Sequence, residues 1–337
     1  MFQLEKFHFN IAVADDGRLK RIIFMIFARR STCAFYNLIY IHVTEHSCVV
    51  VYTMKLELRK FDVSKLRDDS VVIFLGARNT GKSTALFCAL RNHTSIPIGV
   101  VISGTESANH SFEKVVPKML IYDEFDSAII KKFMDRQRKV VDQANDEKKK
   151  YGRTDLDPRA FLILDDCLYD SKAWVNDTNI RYIFMNGRHY KIFLLITMQY
   201  PLGIPPSLRA NVDYIFIMRN NMIKDREKIY QQYAGMFPSF DVFNQCMNAC
   251  TENYECLVID KKSQSNKLED QVFWWKADLN QNYRLCSPEI WRMQEMEDER
   301  RAMGVQVNEE DVEEDYDPQI IKKRPNAPQL NIRKKFN

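Results

Sequence analysis

The sequence predicts an α/β fold in which a mostly parallel central sheet carries helices on both faces. Three observations predict it. Short apolar runs at 71–75, 96–103, 160–164, 191–198 and 214–218 read as strands buried on both sides. The stretches between several of them place apolar residues at helical spacing, and strands alternating with helices build parallel sheets. The residues with chemistry to offer follow the C-terminal ends of the apolar runs, where open α/β sheets bind ligands.

The composition fits this class. The chain has 337 residues, 45% of them hydrophobic and 12% aromatic, enough for one large domain with appendages. A net charge of +4 is too small to argue for a nucleic-acid partner by itself. The eight cysteines, at 33, 48, 88, 167, 246, 250, 256 and 286, include no C-x-x-C pair and read as a reduced, intracellular set. Cys246 and Cys250 stand at i, i+4 with Cys256 nearby, and read as buried thiols in preference to a zinc site. No stretch approaches the ~20 apolar residues that span a bilayer. The run from Ile22 to Ala28 closes on Arg29-Arg30 and is too short for a cleavable signal.

Residues 1–56 form an N-terminal extension. Its segments AFYNLIYIHV and CVVVYT read as strands of a small subdomain. The stretch MKLELRKFDVSKL, from Met54, also reads like an ordinary N-terminus. Met54 is therefore an alternative start, with the first 53 residues upstream of it.

The region 57–291 is organised around VVIFLGARNTGKST at 71–84. The strand Val71 to Leu75 runs into Gly76-Ala77-Arg78-Asn79-Thr80-Gly81-Lys82-Ser83, a full match to G-x-x-x-x-G-K-[ST]. Gly76 and Gly81 allow backbone angles that turn successive N–H groups around a phosphate. Lys82 brings a point charge to β and γ phosphates, and the Ser83 hydroxyl can ligate Mg²⁺. A helix over Ser83–Arg91 aims its positive dipole end at the same anion. Gly76, Arg78, Asn79, Thr80, Gly81, Lys82, Ser83 and Thr84 are thus the nucleotide-binding set, with ATP and Mg²⁺ as the cofactors.

Beyond this loop, 96–103 is a second strand and 119–122 a short apolar segment. Over Ser127–Lys150 the positions Ile130, Phe133, Met134, Gln137, Val140 and Val141 make a long amphipathic helix. Its end, DEKKKYGR, is a solvated surface or a phosphate contact. In AFLILDD, at 160–166, a buried strand delivers Asp165 to the metal and Asp166 to an attacking water. A helix over 177–187 leads to Arg188-His189-Tyr190 and the strand 191–198, which Gln199 closes. An amide there can read a γ-phosphate or position the water, or merely cap the sheet. Pro201, Pro205 and Pro206 make a tight loop before Arg209 and the strand 214–218. Helices at 222–234 and 239–250 precede two strands, 254–260 and 272–277. Trp274-Trp275 reads as core, with base stacking the alternative. From 292 to 337 the chain is charged, acidic over 295–317 and basic at its end, and reads as a flexible tail.

The segments GARNTGKST, FLILDDCLYD, NGRHYKI and TMQYPLGIPPSLRANVDYIF together resemble the genome-packaging ATPases of nucleocytoplasmic large DNA viruses, a branch of the FtsK–HerA superfamily. The resemblance spans about 57–280 and is most particular in NGRHYKI and QYPLGIPPSLRANVDY. It implies a RecA-like P-loop NTPase that assembles into a ring, a hexamer. It also implies ATP-driven translocation of double-stranded DNA into a capsid, through a capsid or portal-like docking site. The location implied is the host cytoplasm or viral factory, or the virion. Lys82 and Ser83 are then the nucleotide and Mg²⁺ residues, Asp165 the metal acid and Gln199 the sensor. Many members carry Asp-Glu where this chain has Asp165-Asp166, so the shorter Asp166 would hold the water from farther away. A ring motor also needs an arginine from its neighbour, worth ~10³–10⁵ in rate; Arg188 is the first choice and Arg209 the second, and Arg78 lies in the loop itself. DNA would meet a local set of Lys and Arg, with the loops at 104–118 and 219–228 as guesses. Two other readings are a P-loop small-molecule kinase and a nucleotide-binding virion structural component. The segment after Gln199 lacks the Arg-rich lid of the first, and only the Asp-Asp departure supports the second.

Overall fold

The computed structural model describes residues 56–167, 174, 176–278 and 282–303, with the backbone of four strands within 11–54. The chain divides into two units, Met1–Leu58 and Arg59–Asn337. In the first, β1 (Ile11–Ala14), β2 (Arg21–Met25), β3 (Asn37–Thr44) and β4 (Ser47–Met54) form an antiparallel sheet in that order. β3 and β4 pair from Asn37↔Met54 to Thr44↔Ser47. Met54, the alternative start, is the last residue of β4.

The second unit begins with β5 (Arg59–Lys60) and then β6 (Val71–Leu75), whose five residues are all buried. The phosphate-loop motif leads into α1 (Lys82–Leu90), which is buried through Ala85–Leu90. Next come β7 (Gly99–Ser103), the short α2 (Glu106–Asn109) and β8 (Ile121–Tyr122). β7 starts later than its apolar run, because Pro97 has no N–H for a ladder.

The long α3 (Ser127–Tyr151) starts where Asp126 accepts from Ala128 N and stops at Gly152, which is left-handed at φ 75. Its inner face carries Ile130, Phe133, Met134, Val140 and the fully buried Gln137. Gln137 Nε2 donates to the carbonyls of Pro158, at 2.9 Å, and Tyr190, at 2.8 Å, so the amide ties the helix to two strand entries. β9 (Ala160–Asp165) follows, then α4 (Thr178–Asn186), capped by the Asp177 carboxylate on Ile180 N. β10 (Ile192–Met198), α5 (Pro206–Arg209) and β11 (Tyr214–Ile217) complete the parallel core. α6 (Ile223–Tyr233) and α7 (Phe240–Cys250) precede β12 (Glu255–Asp260) and β13 (Val272–Lys276), an antiparallel pair. α8 (Pro288–Ala302) closes the described chain. The tail expected from 292 therefore begins inside a helix: Gln294 Oε1 accepts from Met119 N at 2.8 Å and holds it down. Residues 304–337 lie outside the described residues.

These strands make one sheet in the order β5-β13-β12-β11-β6-β10-β9-β7-β8. From β8 across to β11 every pairing is parallel; β12 runs antiparallel to both β11 and β13, and β5 pairs parallel with β13 at the edge. Right-handed crossovers put α1 on one face and α3 and α4 on the other. The sheet is thus mostly parallel, covered on both faces, with a strand between β6 and β9, as in RecA-like P-loop folds. Its middle is packed with aromatic rings: Phe74 stacks on Phe216 at 4.8 Å, and Phe216 meets Trp275 edge-on at 5.3 Å. Trp275 is therefore core, and Trp274 is half-buried with Lys60 over its ring. Cys246, Cys250 and Cys256 are buried thiols, and burial pushes Cys250 up to about 11. No described helix is long and apolar enough to cross a membrane.

The N-terminal rim of the sheet is tied by charges. Asp68 accepts from buried His93 and from Arg159, which also pairs with Asp157 at 2.6 Å. The His93 bond, then Arg159, hold the Asp68 carboxyl down at about 2 against an ordinary 3.8. A lowered pKa stabilises the fold above 3.8, and the gain is lost as pH falls towards 2. We expect Asp68→Asn to cost about 1 kcal/mol at neutral pH, allowing for solvent screening. It should also flatten the acid limb of stability between those two values. Denaturant melts across that pH range check this, and an unchanged acid limb would refute it.

Candidate functional site

The C-terminal ends of β6, β7, β9 and β10 meet at one edge of the sheet, and the motif residues meet there with them. Gly76 N donates to Met198 O at 3.1 Å, which holds the start of the loop between β6 and β10. A Cβ on Gly76 would come within 2.5 Å of Met218 Cβ, so this position admits glycine alone. Asn79 at φ 59 and Gly81 at φ 90 are left-handed and curl the loop back on itself. Thr80 Oγ1 donates to Ala77 O at 2.8 Å and fixes that curl from inside. Arg78 and Ser83 are exposed, and Thr84 is half-buried.

Gly81 opens α1 with no side-chain cap, so the first N–H groups of the helix face the loop interior without a side-chain partner. Lys82 is only 7% exposed, and its Nζ donates to Ala77 O at 2.9 Å. Among the described residues no carboxylate lies within ion-pair distance of it. Burial pushes its pKa down, while Asp166 and Asp165 at longer range push back up. A buried ammonium with one carbonyl partner, beside uncapped N–H groups, is a socket for an anion.

Asp165 ends β9, 5% exposed. Strand register puts it beside Ser103 on one side and Thr197 on the other. Ser103 Oγ donates to its Oδ2 at 3.0 Å and Thr197 Oγ1 to its Oδ1 at 2.7 Å. Burial raises the Asp165 pKa and the neighbouring Asp166 adds to it; the two hydroxyls and Lys82 oppose the rise. The next residue, Asp166, is left-handed at φ 49. Its N–H donates to Thr197 Oγ1 at 3.0 Å, and its Oδ2 accepts from Gln199 Nε2 at 2.7 Å. Thr197 thus fixes both acids, and Gln199 fixes the second.

Of the expected residues, the structure brings together the phosphate loop, Lys82, Asp165, Asp166 and Gln199. Arg188 stands apart from them, and no described contact joins the Arg209 side chain to them. Arg188 donates to Asp213 Oδ1 at 2.8 Å, and Asp213 in turn accepts from Val71 N at 2.8 Å. That pair sits at the start of β6, about 16 Å along the strand from the loop. Arg209 lies over the Tyr233 ring, 5.5 Å from its centre. In the guessed DNA loops, Arg226 is buried and bonded to Asn220 O, Asn244 and Asn248, so it is no surface contact. The Glu106 carboxylate accepts from Ser111, Phe112 and Glu113 N–H groups and shapes the loop after β7. Sequence reasoning missed Ser103 and Thr197. Their signal was present: each is the polar residue in an otherwise apolar buried strand.

The donor set suits a magnesium-bound triphosphate. Among the described residues no cluster of three His, Cys, Asp or Glu could hold a metal unaided. Mg²⁺ ordinarily takes one or two carboxylates, a hydroxyl and substrate phosphates. Asp165, Ser83 and a phosphate in the loop would supply that combination.

The chain is 39% identical over 223 residues to L437 of Acanthamoeba polyphaga mimivirus, covering 66% of this chain and 78% of that protein. It is 33% identical over 236 residues to 075L of Invertebrate iridescent virus 6, covering 67% of this chain and 87% of that one. Both relatives are uncharacterised. No protein-family model matches. Among solved structures, the genome packaging NTPase B204 of Sulfolobus turreted icosahedral virus 2, with ATP-gammaS, covers 63% of this chain and 99% of its own, at 18% identity and a TM-score of 0.41. The pCW3 conjugation coupling protein TcpA covers 86% and 94%, at 13% identity and a TM-score of 0.45.

The raised Asp165 pKa carries a cost. Its carboxylate destabilises the fold at pH above its folded value, and the cost fades as pH falls. Asp165→Asn should therefore raise the melting temperature of the nucleotide-free protein at neutral pH, by roughly 2–4 °C per kcal/mol recovered. Calorimetry at neutral and acid pH tests this; a lowered melting temperature at neutral pH would refute it.

Proposed function

This chain belongs to the family of viral proteins that includes L437 of mimivirus and 075L of Invertebrate iridescent virus 6, and we propose that it is an ATPase that drives double-stranded DNA into a capsid. One observation carries the ATPase reading. A phosphate loop with a buried Lys82 that has no carboxylate partner shares one sheet edge with a twin-acid strand end, whose second acid is held by Gln199. The DNA reading is supported by the sequence resemblance over NGRHYKI and QYPLGIPPSLRANVDY and by the viral membership of the family.

The chemistry follows from the geometry. Loop N–H groups and Lys82 Nζ receive the β and γ phosphates, and Lys82 exchanges the Ala77 carbonyl for phosphate oxygen. Mg²⁺, when bound, neutralises charge on those phosphates, with Ser83 and Asp165 as its protein holders. Asp166 accepts a hydrogen bond from the attacking water, and Gln199 orients both. Asp166 is shorter than the glutamate that many members of the superfamily carry there. The Gln199 bond and the left-handed turn fix where that shorter carboxylate points. The chain acts as a ring, a hexamer, in which a neighbour supplies Arg188 or Arg209. Arg188 stands away from its own loop, as an arginine offered to another subunit must. Arg188 is 51% exposed and would exchange Asp213 for phosphate. DNA meets a local set of cations, with Arg219 exposed on the loop after β11 and Lys224 exposed in the first turn of α6. The ring docks at a capsid or portal-like site, in the viral factory or host cytoplasm, and can enter the virion.

Hydrolysis should rise with double-stranded DNA of any sequence, and the stimulation should fall steeply with salt. Lys82→Ala should abolish it. Undiminished hydrolysis in that variant would remove the site, and a salt-insensitive response would remove phosphate tracking. Asp166→Asn and Gln199→Ala should each lower kcat roughly 10²-fold while leaving ATP affinity within a few-fold, because both act on the water. A loss confined to affinity would refute their assignment.

A further inference from the structure

Tyr254 stands beside the phosphate loop and is used by nothing described so far. Its ring Cδ1 lies 3.4 Å from where a Cβ on Gly81 would be. The residue is 71% exposed, and among the described residues no ring or cation stacks on it. An exposed tyrosine is unremarkable alone; the backbone beneath this one is not. Asn253 at φ 51 and Tyr254 at φ 62 are consecutive left-handed residues without glycine, a conformation that costs about 1 kcal/mol or more at each. The strain is held from both sides. Thr251 Oγ1 donates to Met247 O at 2.6 Å and closes α7, and Glu255 N donates to Glu252 O at 2.8 Å. Cys256, two residues on, is buried in β12 between β11 and β13. The fold therefore uses a rigid, strained turn to set one aromatic face in solvent at the rim of the loop.

Strand order says what that face meets. In the sheet, β9 and β10 lie on one side of β6, and β11 and β12 on the other. The acids and Gln199 are all on the β10 side, so the γ end of a bound triphosphate points there. Its nucleoside end must leave towards β11 and β12, where Tyr254 waits. We infer that Tyr254 is the stacking platform for the nucleobase of the bound nucleoside triphosphate. This rests on the ATPase reading above and deepens it. Stacking on a π-face reads no base edge, so ATP and GTP should bind within a few-fold of each other.

The test uses the full chain and two probes, ATP-gammaS with Mg²⁺ and inorganic tripolyphosphate, which has no base. Base–aromatic stacking predicts that Tyr254→Ala weakens ATP-gammaS roughly 10-fold while tripolyphosphate binds as to wild type. Tyr254→Phe, which keeps the ring, should stay within about 2-fold for both. ATP-gammaS binding unchanged in Tyr254→Ala would overturn the inference and leave the ATPase reading standing. Equal weakening of both probes would also overturn it, because the residue would then be shaping the loop. Wild-type protein that binds neither probe would overturn the ATPase reading, and this inference with it.

Discussion

One buried carboxylate sets the terms for the rest of the site. Asp165 is enclosed at the end of β9, and a charged group there is tolerable only because hydroxyls from the strands on either side reach it. Those hydroxyls arrive by register alone: Ser103 and Thr197 are the partners of Asp165 across β7 and β10. A slip of one residue in either strand would turn the hydroxyl to the opposite face and put an apolar side chain in its place. The wholly apolar residues before them, buried on both faces, make that slip costly. The hydrophobic core thus acts on the chemistry through alignment. It decides which polar atoms touch, and Thr197 extends that alignment to Asp166 through its backbone N–H.

This dependence explains what could be read in advance and what could not. The phosphate loop was legible because its parts are contiguous, and glycine, lysine and serine at fixed spacing leave few other meanings. The buried parallel strands were legible because an apolar run bounded by polar breaks has a strong physical cause. Asp165 and Asp166 were legible because they end such a run. Ser103 and Thr197 were not singled out, since their meaning comes from neighbours many residues away. The same holds for Arg188. Its sequence context suggested a residue offered to a neighbour, and nothing local revealed Asp213 as its partner. The helix over Pro288–Ala302 was missed because its surface is charged nearly all round. Only a few residues, among them Ile290 and Gln294, bury against the domain.

The two rims of the sheet handle charge in opposite ways, and the contrast separates structure from function. At the N-terminal rim the charges are matched: Asp68 with His93 and Arg159, Arg159 with Asp157, Asp213 with Arg188 and Lys262. Such networks satisfy the loops that enter the sheet and leave little affinity for a ligand. Around the phosphate loop, at the C-terminal rim, the matching is withheld. Lys82 has a carbonyl where an anion would fit, Asp165 has hydroxyls where a cation would fit, and the opening N–H groups of α1 have no side-chain cap. The two opposite charges act on each other's pKa at longer range without joining.

A direct Lys82–Asp165 pair would stabilise the empty protein and would have to be broken by every incoming nucleotide. Holding the charges apart costs desolvation in the empty state, and an anion at Lys82 together with a cation at Asp165 would remove that cost. A site built in this way favours occupancy by both charges together over either alone. The left-handed backbone at Asn79, Asp166 and Tyr254 belongs to the same pattern. These three strained residues lie at this rim, on three separate connections that converge around the loop. The strain there is local, and the buried strands behind it supply the stiffness that keeps it from relaxing.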